Sequence, residues 1–328
     1  MDTTKTKKQA KNCHRAEESV SDNAYIKQVH KDFYELFTTN HNKDMLKYAY
    51  QNPAVYDAVT QSPDYYLFRD EAQLIERHKE QLSEYLNDIK TVVEFGPGSE
   101  NGLVQKTLPL LSYAQDLHKY VAADISKSYL EKIGGFIRSK TNIEVDLVEA
   151  DFVEGSLKLV HSPEPKAYVM IGSTIGGFYT HDREKVLQNI YDEMRPGDIF
   201  FMTADTNFDS ASLLKAYVNL EVHNIIKEIW KLYSSVNLEF AKVADQFTLK
   251  HIWNSESGDV EFIFTASKDL RFEINGFEKV EIKSGQAYNI GRSHKFKLDE
   301  IDVDFKRLKL NIITILKYNN MCLFVARK

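Results

Sequence analysis

A chain of 328 residues with 42 Lys and Arg against 48 Asp and Glu carries a net charge of −6. That length allows one large domain or two, and the mild acidity argues against a nucleic-acid binder, which carries a basic field. Only two cysteines occur, Cys13 and Cys322, so neither a disulfide framework nor a zinc set is expected, and a cytoplasmic location suits them.

No stretch approaches 18 apolar residues, which excludes a membrane-spanning helix. Met1 to Asn23 is polar and reads as a disordered tail, its Lys5, Lys7, Lys8 and Lys11 as a solvated cluster. From Ala24 the pattern turns helical, with Val29, Phe33, Leu36 and Phe37 at the spacing of one buried face. An aromatic-rich stretch follows, ending in Pro63-Asp64-Tyr65-Tyr66. A second helix is expected over Glu71 to Leu86. Short apolar strands are then expected at Thr91–Phe95, Tyr120–Ala123, Val145–Val148, Ala167–Ile171 and Ile199–Ala204, separated by helical segments. Strands alternating with helices imply crossovers and a mostly parallel sheet, hence an α/β fold.

Beyond that sheet the character changes. Leu213 to Phe240 reads as one helix, and Phe247–Asn254, Asp259–Ser267 and Leu270–Ile274 as consecutive strands. Val260, Phe262, Phe264 and Ala266 alternate on the middle one, as in a half-buried antiparallel sheet. Leu308–Tyr318 and Met321–Ala326, joined by Asn319-Asn320, form a C-terminal hairpin expected to add an antiparallel pair to the parallel sheet. The stretch 209–293 is therefore read as an α+β insertion.

The strongest local signal is Glu94-Phe95-Gly96-Pro97-Gly98-Ser99 after the first parallel strand. Glycine there lets the backbone turn sharply and approach a ligand. Open α/β sheets bind ligands at the carboxyl ends of their strands. Asp124 ends the next strand, where a carboxylate can accept both hydroxyls of a ribose, and Asp151-Phe152 ends the third. The dinucleotide fingerprint is not met, since Gly102 falls one place late, and Glu94 and Glu100 would repel a pyrophosphate. An acidic, glycine-containing loop better suits a cationic sulfonium cofactor, S-adenosylmethionine. No Walker motif and no nucleophile elbow are present.

At these residues the chain resembles the class I S-adenosylmethionine-dependent methyltransferases, and within them the histidine-specific family of ergothioneine biosynthesis. The resemblance is carried by Pro63 to Tyr66, Arg69 to Ala72, Glu94 to Ser99, Asp151-Phe152, Ile171-Gly172-Ser173-Thr174-Ile175-Gly176, Arg195 to Asp198, Lys215 to Tyr217, Trp253-Asn254 and Ser293 to Phe296. It implies a Rossmann-like sheet with a C-terminal antiparallel hairpin and an inserted α+β substrate domain. The binding domain for S-adenosylmethionine would span 63–208 and 294–328, and the substrate-recognition domain 24–62 and 209–293. It implies cofactor roles for Tyr50, Gly96, Gly98, Asp124, Asp151, Phe152 and Ser173, and assigns the acceptor, with the catalytic role, to Tyr65 and Tyr217.

Three positions depart from the family pattern. A cofactor-contacting lysine falls on Gly102, an asparagine that holds the amino acid falls on Gly177, and a glutamate that reads the imidazole falls near Gly291, beside Asn289. Its serine partner survives as Ser293. Loss of two polar readers disfavours free histidine, leaves extra volume at Gly177 and Gly291, and makes Arg292 a candidate carboxylate partner. The expected activity is N-methylation of a small amino acid or related amine, with no nucleic-acid or membrane partner. The alternatives are a catalytically inactive cofactor-binding sensor or partner subunit, and an NAD-dependent enzyme.

Overall fold

The computed structural model describes residues 25–154, 157 and 164–328. The expected tail and its lysine cluster lie outside them. Five strands, β1 (Thr91–Phe95), β2 (Lys119–Asp124), β3 (Glu144–Glu149), β4 (Lys166–Met170) and β5 (Ile199–Asp205), run parallel. Every residue of β1, β4 and β5 is buried, as strands covered on both faces require. On one face, Val92, Val169 and Phe201 pack on helix residues Leu74, Leu82 and Ile133. On the other, Val93, Tyr168 and Phe200 pack on Val186, Ile190 and Phe305.

After β5 come β6 (Phe247–Asn254), β7 (Asp259–Ala266), β8 (Leu270–Glu273), β9 (Lys279–Ile282) and β10 (Ala287–His294), then β11 (Asn311–Tyr318) and β12 (Met321–Arg327). The large sheet has the order β3-β2-β1-β4-β5-β12-β11, with β12 antiparallel to both neighbours. The C-terminal hairpin thus joins the parallel sheet through β12, because Asn319 takes a left-handed conformation and turns the chain back. Strand order reverses between β1 and β4, which places a topological switch point at the end of β1.

A second body of packing gathers residues from both ends of the sequence. Phe33 on the helix over 25–38 stacks on Tyr233 at 3.7 Å, and Trp230 stacks on Phe264 at 3.7 Å. These belong to one apolar cluster drawn from residues 29–67 and 213–290. It packs the helix Leu220–Val236 against the antiparallel sheet β10-β7-β6.

Several element boundaries differ from the sequence reading. The expected helix over Glu71–Leu86 starts at Tyr66 and breaks at His78, whose ring and backbone amide share the Leu74 carbonyl, at 2.9 and 3.3 Å. The expected single helix over Leu213–Phe240 is three: Ser210–Tyr217, Leu220–Val236 and Leu238–Ala241. Asn219 and Asn237 cap the second and third by accepting the amides of Val222 and Phe240, the local competition that makes asparagine an N-cap. Strands β9 and β10 and the helix Leu298–Arg307 were not expected. Gly291 and Arg292 interrupt the alternation of β10, and a register shift sits there.

Candidate active site

A cavity of about 550 Å³ opens at the carboxyl ends of β1, β2 and β4 and extends to β10. At its β1 end Gly96 and Gly98 both have positive φ (66° and 74°), conformations that an L side chain adopts only with strain. A Cβ on Gly96 would lie 3.8 Å from the Thr174 side chain and 3.9 Å from the Phe152 ring, filling the cavity floor. Ser99 then caps the next helix by accepting the Gly102 amide.

Asp124 and Asp151 stand at the two following strand ends. The Asp124 carboxyl accepts the Ser126 amide at 2.9 Å, and burial pushes its pKa above the usual carboxylate value against that bond. Asp151 accepts the Val153 amide at 2.9 Å, and Phe152 meets Phe95 edge-on at 5.5 Å. Ser173 lines the same end in a left-handed conformation (φ 52°), and its Oγ is buried without a hydrogen-bond partner. The loop carrying it is pinned from behind. Glu71 accepts the Gly172 amide at 2.6 Å, bonds the Thr203 hydroxyl and pairs with Lys106 at 2.7 Å. Gly176 brings this loop against β10, where a Cβ would lie 2.9 Å from the His294 carbonyl oxygen.

At the other end Tyr65 meets Tyr217 edge-on at 5.7 Å, and the Tyr217 hydroxyl lies 2.7 Å from Ser293 Oγ. Lys295, fully buried, donates to Tyr217 Oη at 2.8 Å and to Ser293 Oγ at 3.0 Å, and pairs with Asp205 at 2.8 Å. Burial pulls the lysine pKa down, but the Asp205 carboxylate and Tyr217 more than offset it and hold the ammonium above its usual value. An ammonium only donates, so both hydroxyl oxygens accept from it. One hydroxyl proton closes the Tyr217–Ser293 bond and the other remains free for a ligand.

Tyr50, Tyr65, Gly177, Tyr217 and Ser293 line this one cavity together with the glycine turn, the two aspartates, Phe152 and Ser173. Asn289 does not line it. Its side chain accepts the Gly291 amide, and its backbone pairs with His41 and Lys43. Three other expectations are corrected. Glu94 faces away from the cavity, bonded to Tyr120 at 2.6 Å and Thr107 at 3.0 Å, so it does not make the loop acidic towards a ligand. Arg292 lines the cavity, but its two terminal nitrogens are held by the Asp259 carboxylate and the Phe178 carbonyl, which leaves only the buried Nε without a hydrogen-bond partner. Gly291 leaves no free volume, because a Cβ there would lie 2.5 Å from Leu46 Cγ. At Gly177, by contrast, a Cβ would meet only Leu46 Cδ1, at 3.9 Å, so that glycine stays open to the cavity.

Sequence reasoning missed Lys295, Asp205, Leu46 and Asp44. Lys295 lay within the motif Ser293 to Phe296, but a lysine just past a strand end gives no local sign that it is buried.

The strand order, the glycine turn at the switch point and the acids ending β2 and following β3 define a Rossmann-like class I methyltransferase fold. The chain belongs to the family described as histidine-specific methyltransferase, SAM-dependent, which matches residues 39–325. It is therefore a methyltransferase that uses S-adenosylmethionine. It is 26% identical over 259 residues to a histidine N-alpha-methyltransferase of Mycolicibacterium smegmatis, covering 75% of this chain and 77% of that one. It is 24% identical over 268 residues to the protein of the same name from Mycobacterium tuberculosis, covering 79% and 81%. Among solved structures, an S-adenosylmethionine-dependent methyltransferase of Clostridium acetobutylicum superimposes with a TM-score of 0.44 at 11% identity, over 79% of this chain and 91% of that one. No helix among the described residues is long and apolar enough to cross a membrane.

Proposed function

We propose that the chain methylates the amine of a small amino acid or related metabolite, and that free histidine is not its preferred acceptor. The observation that carries this reading is the hydroxyl set of Tyr65, Tyr217 and Ser293 in the same cavity as the glycine turn, Asp124, Asp151 and Phe152. Bound S-adenosylmethionine supplies an electrophilic methyl group on a sulfonium sulfur. The β1 turn fits that cofactor by leaving room for it. Asp124 offers carboxylate oxygens to ribose hydroxyls, and the unpartnered Ser173 Oγ and the Tyr50 ring complete the cradle.

The acceptor nitrogen must be neutral and in line with the methyl carbon and sulfur. Its lone pair would form the C–N bond as the C–S bond of the cofactor breaks, the breaking pair leaving on sulfur, and the proton given up by the nitrogen would pass to water in the open cavity. Tyr65 and Tyr217 orient the amine, and the remaining hydroxyl proton of the Tyr217–Ser293 pair suits a carboxylate oxygen. Such work is largely alignment, which holds reacting atoms in a near-attack geometry. The case against histidine is that Gly177 and Gly291 bring no polar side chain and Leu46 fills the space over Gly291. The names of the mycobacterial relatives point to histidine for those proteins. The test is mass-spectrometric detection of methyl transfer from S-adenosylmethionine across the free amino acids, histidine included. A singly or multiply methylated amine from another amino acid supports the reading. Histidine as the fastest acceptor overturns the acceptor assignment.

A further inference from the structure

We propose that Asp44 is the specificity residue of the acceptor site and that it selects an amino acid with a cationic side chain, an amine or a guanidinium. This rests on the transfer to an amino-acid amine proposed above. Residues 43 and 45 pair with β10, through the Lys43 amide on the Asn289 carbonyl at 3.1 Å and the Met45 amide on the Ile290 carbonyl at 2.8 Å. That pairing sets Asp44 beside Gly291 and two residues before Leu46, on the cavity wall. Its carboxylate accepts the Leu46 amide at 2.9 Å, one bond for a group with room for about four. The charged groups facing it are Lys47, Asp182 and Arg292. Lys47 is paired with Asp32 at 3.1 Å and Arg292 with Asp259 at 3.0 Å, while Asp182 has Lys185 at 3.7 Å. Among the described residues Asp44 has no ion-pair partner. Burial pushes its pKa up to about 6, with the Leu46 amide and Lys47 opposing and Asp182 adding to the rise. A partly buried carboxylate in that state gains by meeting a cation. The apolar Leu46 beside it suits the methylene stem of a basic side chain.

The experiment measures thermal midpoints of the S-adenosylhomocysteine-loaded protein with L-lysine, L-arginine, L-norleucine and L-glutamine. A ligand that binds only the folded state raises the midpoint according to its concentration over its dissociation constant. Lysine or arginine is expected to add to the cofactor shift at least tenfold more tightly than norleucine or glutamine. Asp44→Asn keeps an acceptor for the Leu46 amide, so it should fold and bind S-adenosylhomocysteine unchanged while losing the basic ligand. Asp44→Glu should retain part of it. Norleucine binding as well as lysine, or lysine binding undiminished in Asp44→Asn, overturns the role of Asp44 and leaves the amine transfer standing. Failure of all four ligands to add to the cofactor shift overturns the role of Asp44, and the methyl-transfer assay across the free amino acids decides the amine transfer separately.

Discussion

The Lys295 ammonium lies 2.8 Å from the Asp205 carboxylate with neither side chain exposed, directly behind the Tyr217 and Ser293 hydroxyls. Asp205 also accepts the Tyr66 hydroxyl at 2.5 Å and the Asn207 amide at 3.0 Å. The pair thus ties the end of β5 to β10 and orients the hydroxyls from the protein side. Removing one member of such a pair strands a buried charge and costs about 3–5 kcal/mol. Lys295→Met is expected to lose that much in urea unfolding, and Lys295→Met with Asp205→Asn to recover part of it. A double variant less stable than Lys295→Met alone would contradict the coupling.

Tyr217 holds the hydroxyl nearest to both Lys295 and Ser293. Tyr217→Phe is expected to slow methyl transfer about a hundredfold through lost alignment and to leave S-adenosylhomocysteine affinity unchanged. Tyr65→Phe should act in the same direction. Isothermal titration with S-adenosylhomocysteine beside turnover measurements separates the two effects, and a matching loss of cofactor affinity would move Tyr217 out of the acceptor site.

Leu46 and Gly291 make the third case. A Cβ at position 291 meets Leu46 Cγ at 2.5 Å, and the glycine φ of 154° is one that L residues rarely take. Gly291→Ala is expected to cost about 1–3 kcal/mol by overpacking. Leu46→Ala alone should also destabilise, by leaving a cavity. Together they should cost less than the sum, because the alanine at 291 fills space that leucine vacates. Strict additivity in chemical denaturation would show that the two do not share that space.

Glu94 supplies a pH dependence. Burial raises its pKa to about 7 from 4.5, against the hydrogen bonds of Tyr120 and Thr107. The folded protein therefore keeps a proton that the unfolded chain releases between those values. Stability should be highest below about pH 4.5 as far as this group is concerned, fall by about 3 kcal/mol as pH rises to 7, and level off beyond. Glu94→Gln should flatten that slope in denaturation curves taken from pH 5 to 8. An unchanged slope would assign the pH dependence to another group.

Much of the fold was legible because its signals are local. Thr91–Phe95 is an apolar run ended by Gly96-Pro97-Gly98, and β1 occupies that span. The alternation Val260, Phe262, Phe264 and Ala266 is a period of two, and those four residues are buried in β7. Helix breaks were less legible, because Asn219 and Asn237 cap only where the chain elsewhere lets the preceding turn end.

By itself, then, the sequence determined the succession of strands and helices and the glycine turn that ends β1, since periodicity and turn chemistry act between neighbours. Only the tertiary structure decided which way side chains of ambiguous position face. Glu94, next to the glycine turn, points at Tyr120 rather than at the cavity, and Arg292 is taken by Asp259. Leu46 closes the space over Gly291 from a segment far away in the chain, and Asp205 holds Lys295 beneath the hydroxyls. Those contacts come from close packing and from satisfying buried charge, and both depend on residues that no local window brings together.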